Sequence, residues 1–291
     1  MRDIKKNHQL YILMFPFVFL FFIFTVLPVA ASIALSFTHY NMLETPQFRG
    51  LMNYVRMFLD DEVLFIAIKN TLVFAIITGP VSYLMCFLFA WFINELKPRS
   101  RSIVTLFFYA PSLTSNVYFI WQFLFSGDRY GFINGLLIRW GILNEPIQWF
   151  VDSRFSLGII ILVQLWMSLG TSFLAFIAGF QGVDRTLYEA GAVDGIKNRW
   201  QELWYVTVPA MKSQMMFGAV MQIAIAFSVG SVSQSLAGYP SRGYVAHTVS
   251  LHIMDYGTIR YEMGYACAVA VMLFLVMLGV RKVIALLLDG T

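Results

Sequence analysis

Few side chains in this 291-residue sequence could do chemistry, and most of them are scattered. His8, His39, His247 and His252 do not cluster; the last two stand five apart with no cysteine or paired carboxylate beside them. A zinc centre needs such a set at ligand spacing, so these histidines read as polar loop residues and no metal is expected. Asp60-Asp61-Glu62 could in principle form an acid pair, but it reads as the solvated start of a helix because nothing encloses it. Cys86 and Cys267 lie inside apolar runs, where a thiol behaves as a small hydrophobe. With no nucleophile, metal or acid–base constellation, a membrane enzyme is disfavoured and no catalytic residue is assigned. No Gly-x-x-x-x-Gly-Lys-Ser/Thr run occurs, so the chain lacks the usual loop for cradling ATP.

A second group of polar residues sits within apolar stretches. Gln164, Ser168 and Thr171 recur at i, i+4 and i+7 and share a helix face. Gln222 and Ser233 continue a small or polar stripe through Gly218 and Ala226, opposite Phe217, Met221 and Phe227. A third stretch offers Asn116, Tyr118, Trp121 and Gln122. Aromatic faces with amides and hydroxyls suit a neutral sugar, whose ring faces stack and whose hydroxyls need donors and acceptors. The alternative is that they glue helices together, small residues allowing close packing and amides bonding across. Tryptophans such as Trp121 and Trp166 can equally anchor a membrane interface.

The third candidate region runs from Glu189 to Pro209 and is the one long amphipathic, charged segment between two apolar runs. It contains Glu189, Ala190, Gly191, Asp194 and Gly195, then Lys197, Arg199 and Trp200 before Pro209. Gly191 and Gly195 interrupt helix propensity, so a short helix, a turn and a second helix are expected. Such a segment could dock a partner outside the bilayer, or be an ordinary solvated loop.

What must position these groups is a membrane bundle. The sequence is 59% hydrophobic and only 12% charged, with mean hydropathy +0.70, far too apolar for a soluble domain of this length. Runs of about 20 apolar residues fit helices crossing about 30 Å of hydrocarbon, and no barrel-like alternation is visible. We read a basic tail over residues 1–9 and a single six-span unit over 10–291. The spans fall at about 10–37, 70–94, 102–125, 155–180, 211–236 and 263–287. Six crossings put both termini on one side, which holds 12 of the 20 Lys and Arg residues. The positive-inside rule makes that side, with the 189–209 segment, cytoplasmic. The +4 net charge is spread over loops rather than gathered into a stripe, so no nucleic-acid partner is expected.

The 189–209 segment resembles the cytoplasmic loop of permease subunits in binding-protein-dependent ABC importers. Their pattern is Glu-Ala-Ala, three residues, Gly, and a Leu-Pro about a dozen residues on. Glu189, Ala190, Asp194, Gly195 and Pro209 fit; Gly191, Ile196 and Val208 stand where Ala, Ala and Leu are commonest. Ser36-Phe37, Gly50, Asn53-Tyr54, Asn70-Thr71, Pro111, Gly131 with Asn134, and Gly264-Tyr265 also fall where maltose- and glycerol-phosphate-type permeases carry similar residues. The likeness is to the subunit usually encoded first, without the large extra domain of the maltose type.

The resemblance implies an all-α type I importer permease in a bacterial or archaeal plasma membrane, with a coupling helix between the fourth and fifth spans. There Glu189 makes the polar contact, the small Ala190, Gly191 and Gly195 allow close approach, and Asp194 braces the turn. It further implies a second homologous permease, two ABC ATPase copies that bind the ATP and Mg, an extracytoplasmic solute-binding protein, surrounding lipid and a sugar as solute. Glycerol phosphate or a polyol on the same architecture is one rival. An ion-gradient-driven carrier is another, but it calls for intramembrane carboxylates or inverted repeats, and neither is seen.

Overall fold

The computed structural model describes residues 8–114, 117–152 and 154–289. The basic residues of the tail and Asn116 lie outside the described residues. The chain opens with α1 (His8–Phe21), a π-helical turn at Phe22–Val26 and α2 (Leu27–Leu35). A short β1–β2 pair follows (Thr38–His39, Gln47–Phe48), then α3 (Met52–Leu59), α4 (Glu62–Asn94), α5 (Pro98–Leu113), α6 (Tyr118–Leu124) and α7 (Phe132–Arg139). Next come α8 (Ser156–Met167), α9 (Thr171–Gly182), α10 (Arg185–Val193), α11 (Arg199–Glu202) and α12 (Val208–Ala210). The chain ends with α13 (Lys212–Phe227), α14 (Gly230–Ala237), α15 (Val249–Met254) and α16 (Met263–Asp289).

Five helical stretches are long and apolar enough to cross a bilayer: Ile12–Leu35, Glu62–Asn94, Ser156–Gly182, Lys212–Ala237 and Met263–Leu286. The pair α5 and α6, bent by 86°, makes a sixth if taken as one broken span. α4 begins at Glu62 rather than near Asn70, residues 63–68 (Val-Leu-Phe-Ile-Ala-Ile) extending the apolar run; its 33 residues exceed what about 30 Å of hydrocarbon requires. It continues as one helix through Gly79-Pro80.

The chain divides into two compact units. The first, residues 1–62 with 252–275, is stitched by polar groups. Asn53 Nδ2 donates to the carbonyls of Ser36 (2.8 Å) and Thr38 (2.9 Å), while the Tyr54 hydroxyl donates to Ser36 Oγ (2.8 Å). The Gly264 amide donates to the Tyr40 carbonyl at 3.1 Å; a side chain at Gly264 would collide with the Thr38 carbonyl.

The same unit corrects the reading of Asp61 and His252 as solvated polar residues. Asp61 is 6% exposed and His252 1%. His252 Nε2 lies 2.9 Å from Asp61 Oδ2, and Tyr265 donates its hydroxyl to the same oxygen at 2.7 Å. Around them Arg56 pairs with Glu262 and Arg260 with Asp255, and Arg56 lies over the rings of Tyr256 and Tyr265. Burying a carboxylate is costly unless it is hydrogen-bonded, and Asp61 meets that condition with partners nearly two hundred residues away.

The second unit, residues 63–251 with 276–291, holds two cores. One gathers Cys86, Phe87, Phe173, Phe176, Phe180, Leu203 and Met211; the other gathers Phe74, Trp149, Ile160, Val163, Val229 and Val232. α9 and α13 approach closely because Gly218 faces the Phe176 ring and Gly179 faces Met211 and Gln214. The stretches Ser156–Gly182 and Lys212–Ala237 are both interrupted, at residues 168–170 and 228–229. The carbonyls at the breaks are paired: Ser168 O accepts from the Gly170 amide (2.8 Å), Gln222 Nε2 (3.3 Å) and Cys86 Sγ (3.5 Å), and Phe227 O from Ser250 Oγ (2.8 Å). A buried carbonyl left without a partner is costly, and none of these is.

Candidate functional site

The 184–210 segment folds into an elbow that is almost wholly explained by local capping. Asp184 starts α10, its side chain accepting from the Thr186 amide at 3.0 Å. At the other end Asp194 is the C-cap and Gly195 takes φ +95°, a left-handed conformation in which glycine carries no Cβ penalty. The Ile196 amide then donates to Gly191 O (3.0 Å) and the Gly195 amide to Ala192 O (3.3 Å). This is the paired Schellman closure, with the apolar residue after the glycine folded back on the last turn.

Gly191 is buried, and a Cβ there would stand 2.8 Å from Ile196 Cδ1 and 3.2 Å from Val206 Cγ2. The Gly191 and Ile196 departures therefore compensate one another: a larger residue at 196 fills the space left by a smaller one at 191.

After the turn, Asn198 caps α11 by accepting from the Gln201 amide (2.9 Å), and Gln201 Oε1 accepts from the Lys197 amide (2.8 Å). Arg199 bridges Glu202 (2.7 Å) and Glu95 at the end of α4 (3.1 Å). Hydrogen bonding to Glu202, reinforced by the charge of Glu95, holds the Arg199 guanidinium above its ordinary range. A π-helical turn at Leu203–Thr207 leads into Pro209; proline lacks the amide donor that regular helix would use. The Tyr188 hydroxyl, 3.0 Å from Thr207 Oγ1, ties the two arms of the elbow.

Between the arms lies a cavity of about 640 Å³ whose walls include Ala190, Gly191, Asp194, Gly195, Ile196, Tyr205 and Pro209. Of the six residues singled out from the sequence in this segment, five line this hollow. Glu189 is exposed and does not. Val193, Trp204 and Tyr205 are 87%, 64% and 74% exposed, giving the elbow an apolar surface larger than a solvated loop needs.

The residues proposed along a solute path are distributed differently. Gln164, Ser168, Gln222 and Ser233 are buried, Tyr118 and Trp121 half-buried, and Thr171 exposed. The break at 168–170 contains Ser168 and separates Thr171 from the helix carrying Gln164. Gln222 and Ser168 meet directly through the bond to the Ser168 carbonyl; Gln222 Nε2 also reaches Cys86 Sγ at 3.2 Å. Trp121 lies edge-on to Trp166 with ring centroids 5.4 Å apart. The indole nitrogen of Trp121 and the Ser233 hydroxyl are buried without a hydrogen-bond partner among the described residues. Such a group costs about 1–3 kcal/mol unless something else satisfies it.

Residues 71–287 match the family described as binding-protein-dependent transport system inner membrane component. The chain is 32% identical over 283 residues to a probable ABC transporter permease protein, YesP, of Bacillus subtilis (strain 168), covering 94% of this chain and 89% of that protein. It is 28% identical over 289 residues to the arabinooligosaccharides transport system permease protein AraP of the same organism, covering 99% and 90%. Among solved structures, a bacterial ABC transporter involved in the import of the acidic polysaccharide alginate aligns with TM-score 0.78 at 23% identity, covering 99% of this chain and 98% of that one.

Proposed function

Because the chain belongs to the family of binding-protein-dependent transport system inner membrane components, we propose that it forms the solute path of an ATP-driven importer for a neutral oligosaccharide. It is an all-α, multi-pass membrane permease subunit with the type I importer fold. The proposal places it beside a second, homologous permease and two ABC ATPase copies, which hold the ATP and Mg. An extracytoplasmic binding protein meets the loops 38–69, 126–154 and 237–262. Both termini and the elbow face the cytoplasm, as the Lys and Arg bias favours.

The observation that carries the proposal is the elbow itself: a hairpin of short, capped helices with a hollow between its arms and exposed Trp204 and Tyr205. A partner seated there would push α10 and, through Arg199 and Glu95, the end of α4. Movement of packed helices about an interface is how such a push becomes a change of access. A carbohydrate is favoured by the relative named for arabinooligosaccharides and by the path candidates, which are amides, hydroxyls and aromatics. A neutral solute is favoured because none of Gln164, Ser168, Gln222 and Ser233 is cationic.

The test is reconstitution with the cognate ATPase, second permease and binding protein in liposomes. Sugar-loaded binding protein should stimulate ATP hydrolysis and sugar uptake together, and Glu189→Arg should lower uptake at least about tenfold while the complex still inserts. Uptake that persists without the ATPase, or that Glu189→Arg leaves intact, would refute the coupling role.

A further inference from the structure

Another hollow shares no lining residue with the 184–210 elbow or with the solute-path candidates. It is a slot of about 410 Å³ between α5 and α9, within the range of small-molecule sites. On the α5 side its lining follows one helical stripe, Pro98, Arg101, Ser102, Thr105, Leu106 and Tyr109; on the α9 side stand Ile177 and Gln181. The chemistry changes along its length. At the start of α5 the walls are Arg101, Ser102 and Gln181; farther along Leu106, Ile177 and the Tyr109 ring join Thr105. No carboxylate lines the slot, and Arg101 is its one cationic wall.

Two further features point to a ligand. Arg101 Nε and Thr105 Oγ1 are buried without a hydrogen-bond partner among the described residues, although Arg101 Nη2 donates to the carbonyls of Asn94 (2.7 Å) and Leu96 (3.2 Å). The first turn of α5 has no side-chain cap, so its free amides and helix dipole favour an anion. Beside the slot, Ile103, Leu106 and Phe107 are 70%, 63% and 78% exposed, an apolar face suited to hydrocarbon. A ligand that satisfies both ends is an amphiphile with an anionic head, and basic pockets between membrane helices bind such lipid headgroups.

We propose that the slot seats one anionic phospholipid, its phosphate at Arg101 and the first turn of α5 and an acyl chain along Leu106 and Ile177. Only the choice of leaflet rests on the importer reading; the site itself does not. The test uses the purified, delipidated full-length chain and native mass spectrometry. It is titrated with phosphatidylglycerol, with phosphatidylcholine of the same chains, and with inorganic phosphate as competitor. Phosphatidylglycerol should bind once and at least about fivefold tighter than phosphatidylcholine, the preference expected from one cationic side chain at a membrane surface, and phosphate should not displace it.

Thr105→Trp fills the slot while sparing the Arg101 bonds to Asn94 and Leu96, and should weaken phosphatidylglycerol at least tenfold. Arg101→Gln should bring the two lipids within twofold of each other. Equal binding of both lipids by the unaltered chain, retention by Thr105→Trp, or displacement by phosphate at equal concentration would overturn the proposal. Because binding is read in detergent, it succeeds or fails independently of transport.

Discussion

The Asp61 group and the 184–210 elbow are both rich in polar residues, and they use them in opposite ways. In the first, carboxylates, guanidiniums, an imidazole and two tyrosines are turned on one another, and Asp61 and His252 are almost fully buried. In the elbow, side chains are spent on capping backbone, with Asp184, Asn198 and Gln201 closing helix ends, while Glu189, Trp204 and Tyr205 stay exposed. The first cluster is closed on itself; the elbow, whose Arg199 and Tyr188 are also paired, keeps Glu189, Trp204 and Tyr205 open to a partner.

Three changes would break or sharpen that contrast. The largest effect is expected at Gly191, where any Cβ meets Ile196 and Val206. Gly191→Val should cost about 1–3 kcal/mol by overpacking and reduce uptake more than tenfold. Gly191→Ala combined with Ile196→Ala should restore most of the uptake that Gly191→Ala alone loses. Transport assays alongside membrane quantification check this. If the double variant is no better than the single, the two positions do not compensate.

Next is Asp61→Ala, which strips buried His252 and Tyr265 of their shared acceptor. A loss of about 1–3 kcal/mol is expected, read as a lower melting temperature in detergent, with affinity for the proposed ATPase partner unchanged in a pull-down titration. Weakened ATPase binding would blur the distinction between the regions.

The smallest effect belongs to an exposed pair. Hydrogen bonds from Arg154 hold the Asp152 carboxyl down at about 2. A depressed carboxylate contributes stability above its unfolded value of about 3.9 and loses it as pH falls toward the folded one. Melting between pH 5 and 8 should therefore show no dependence on this pair, and Asp152→Asn should leave the curve where it was, as screened surface pairs usually do. A clear shift would mean that side-chain pairing at the surface matters here as it does around Asp61.

The elbow was legible because its determinants are local: glycines, caps and Pro209 fall within about two turns of what they shape, and composition likewise revealed a membrane bundle. The Asp61 group was not legible, since its members are 191 and 204 positions apart and no periodicity pairs them. Asp60-Asp61-Glu62 looks like any solvated helix start until the fold buries only its middle residue. The breaks at 168–170 and 228–229 escaped for a related reason. Averaged over a whole stretch the hydropathy stays high, which hides the local Ser168, Gly170, Ser228 and Gly230, and no periodicity pairs the breaks with the distant Gln222 and Ser250 that reach the carbonyls there. That is why Gln164, Ser168 and Thr171 looked like one face when the third belongs to a new helix.

The stretch between α6 and α8 hangs on Asn134, which is fully buried. Its amide nitrogen donates to the carbonyls of Ser126, Asp128 and Ile147, and its oxygen accepts from the Ile147 amide and the Trp149 indole. Tyr130, within the same stretch, is 95% exposed and takes no part in that network. A single peg thus carries the weight of some twenty residues, and the outward-facing positions can be rewritten for a different clientele while the peg stays in place.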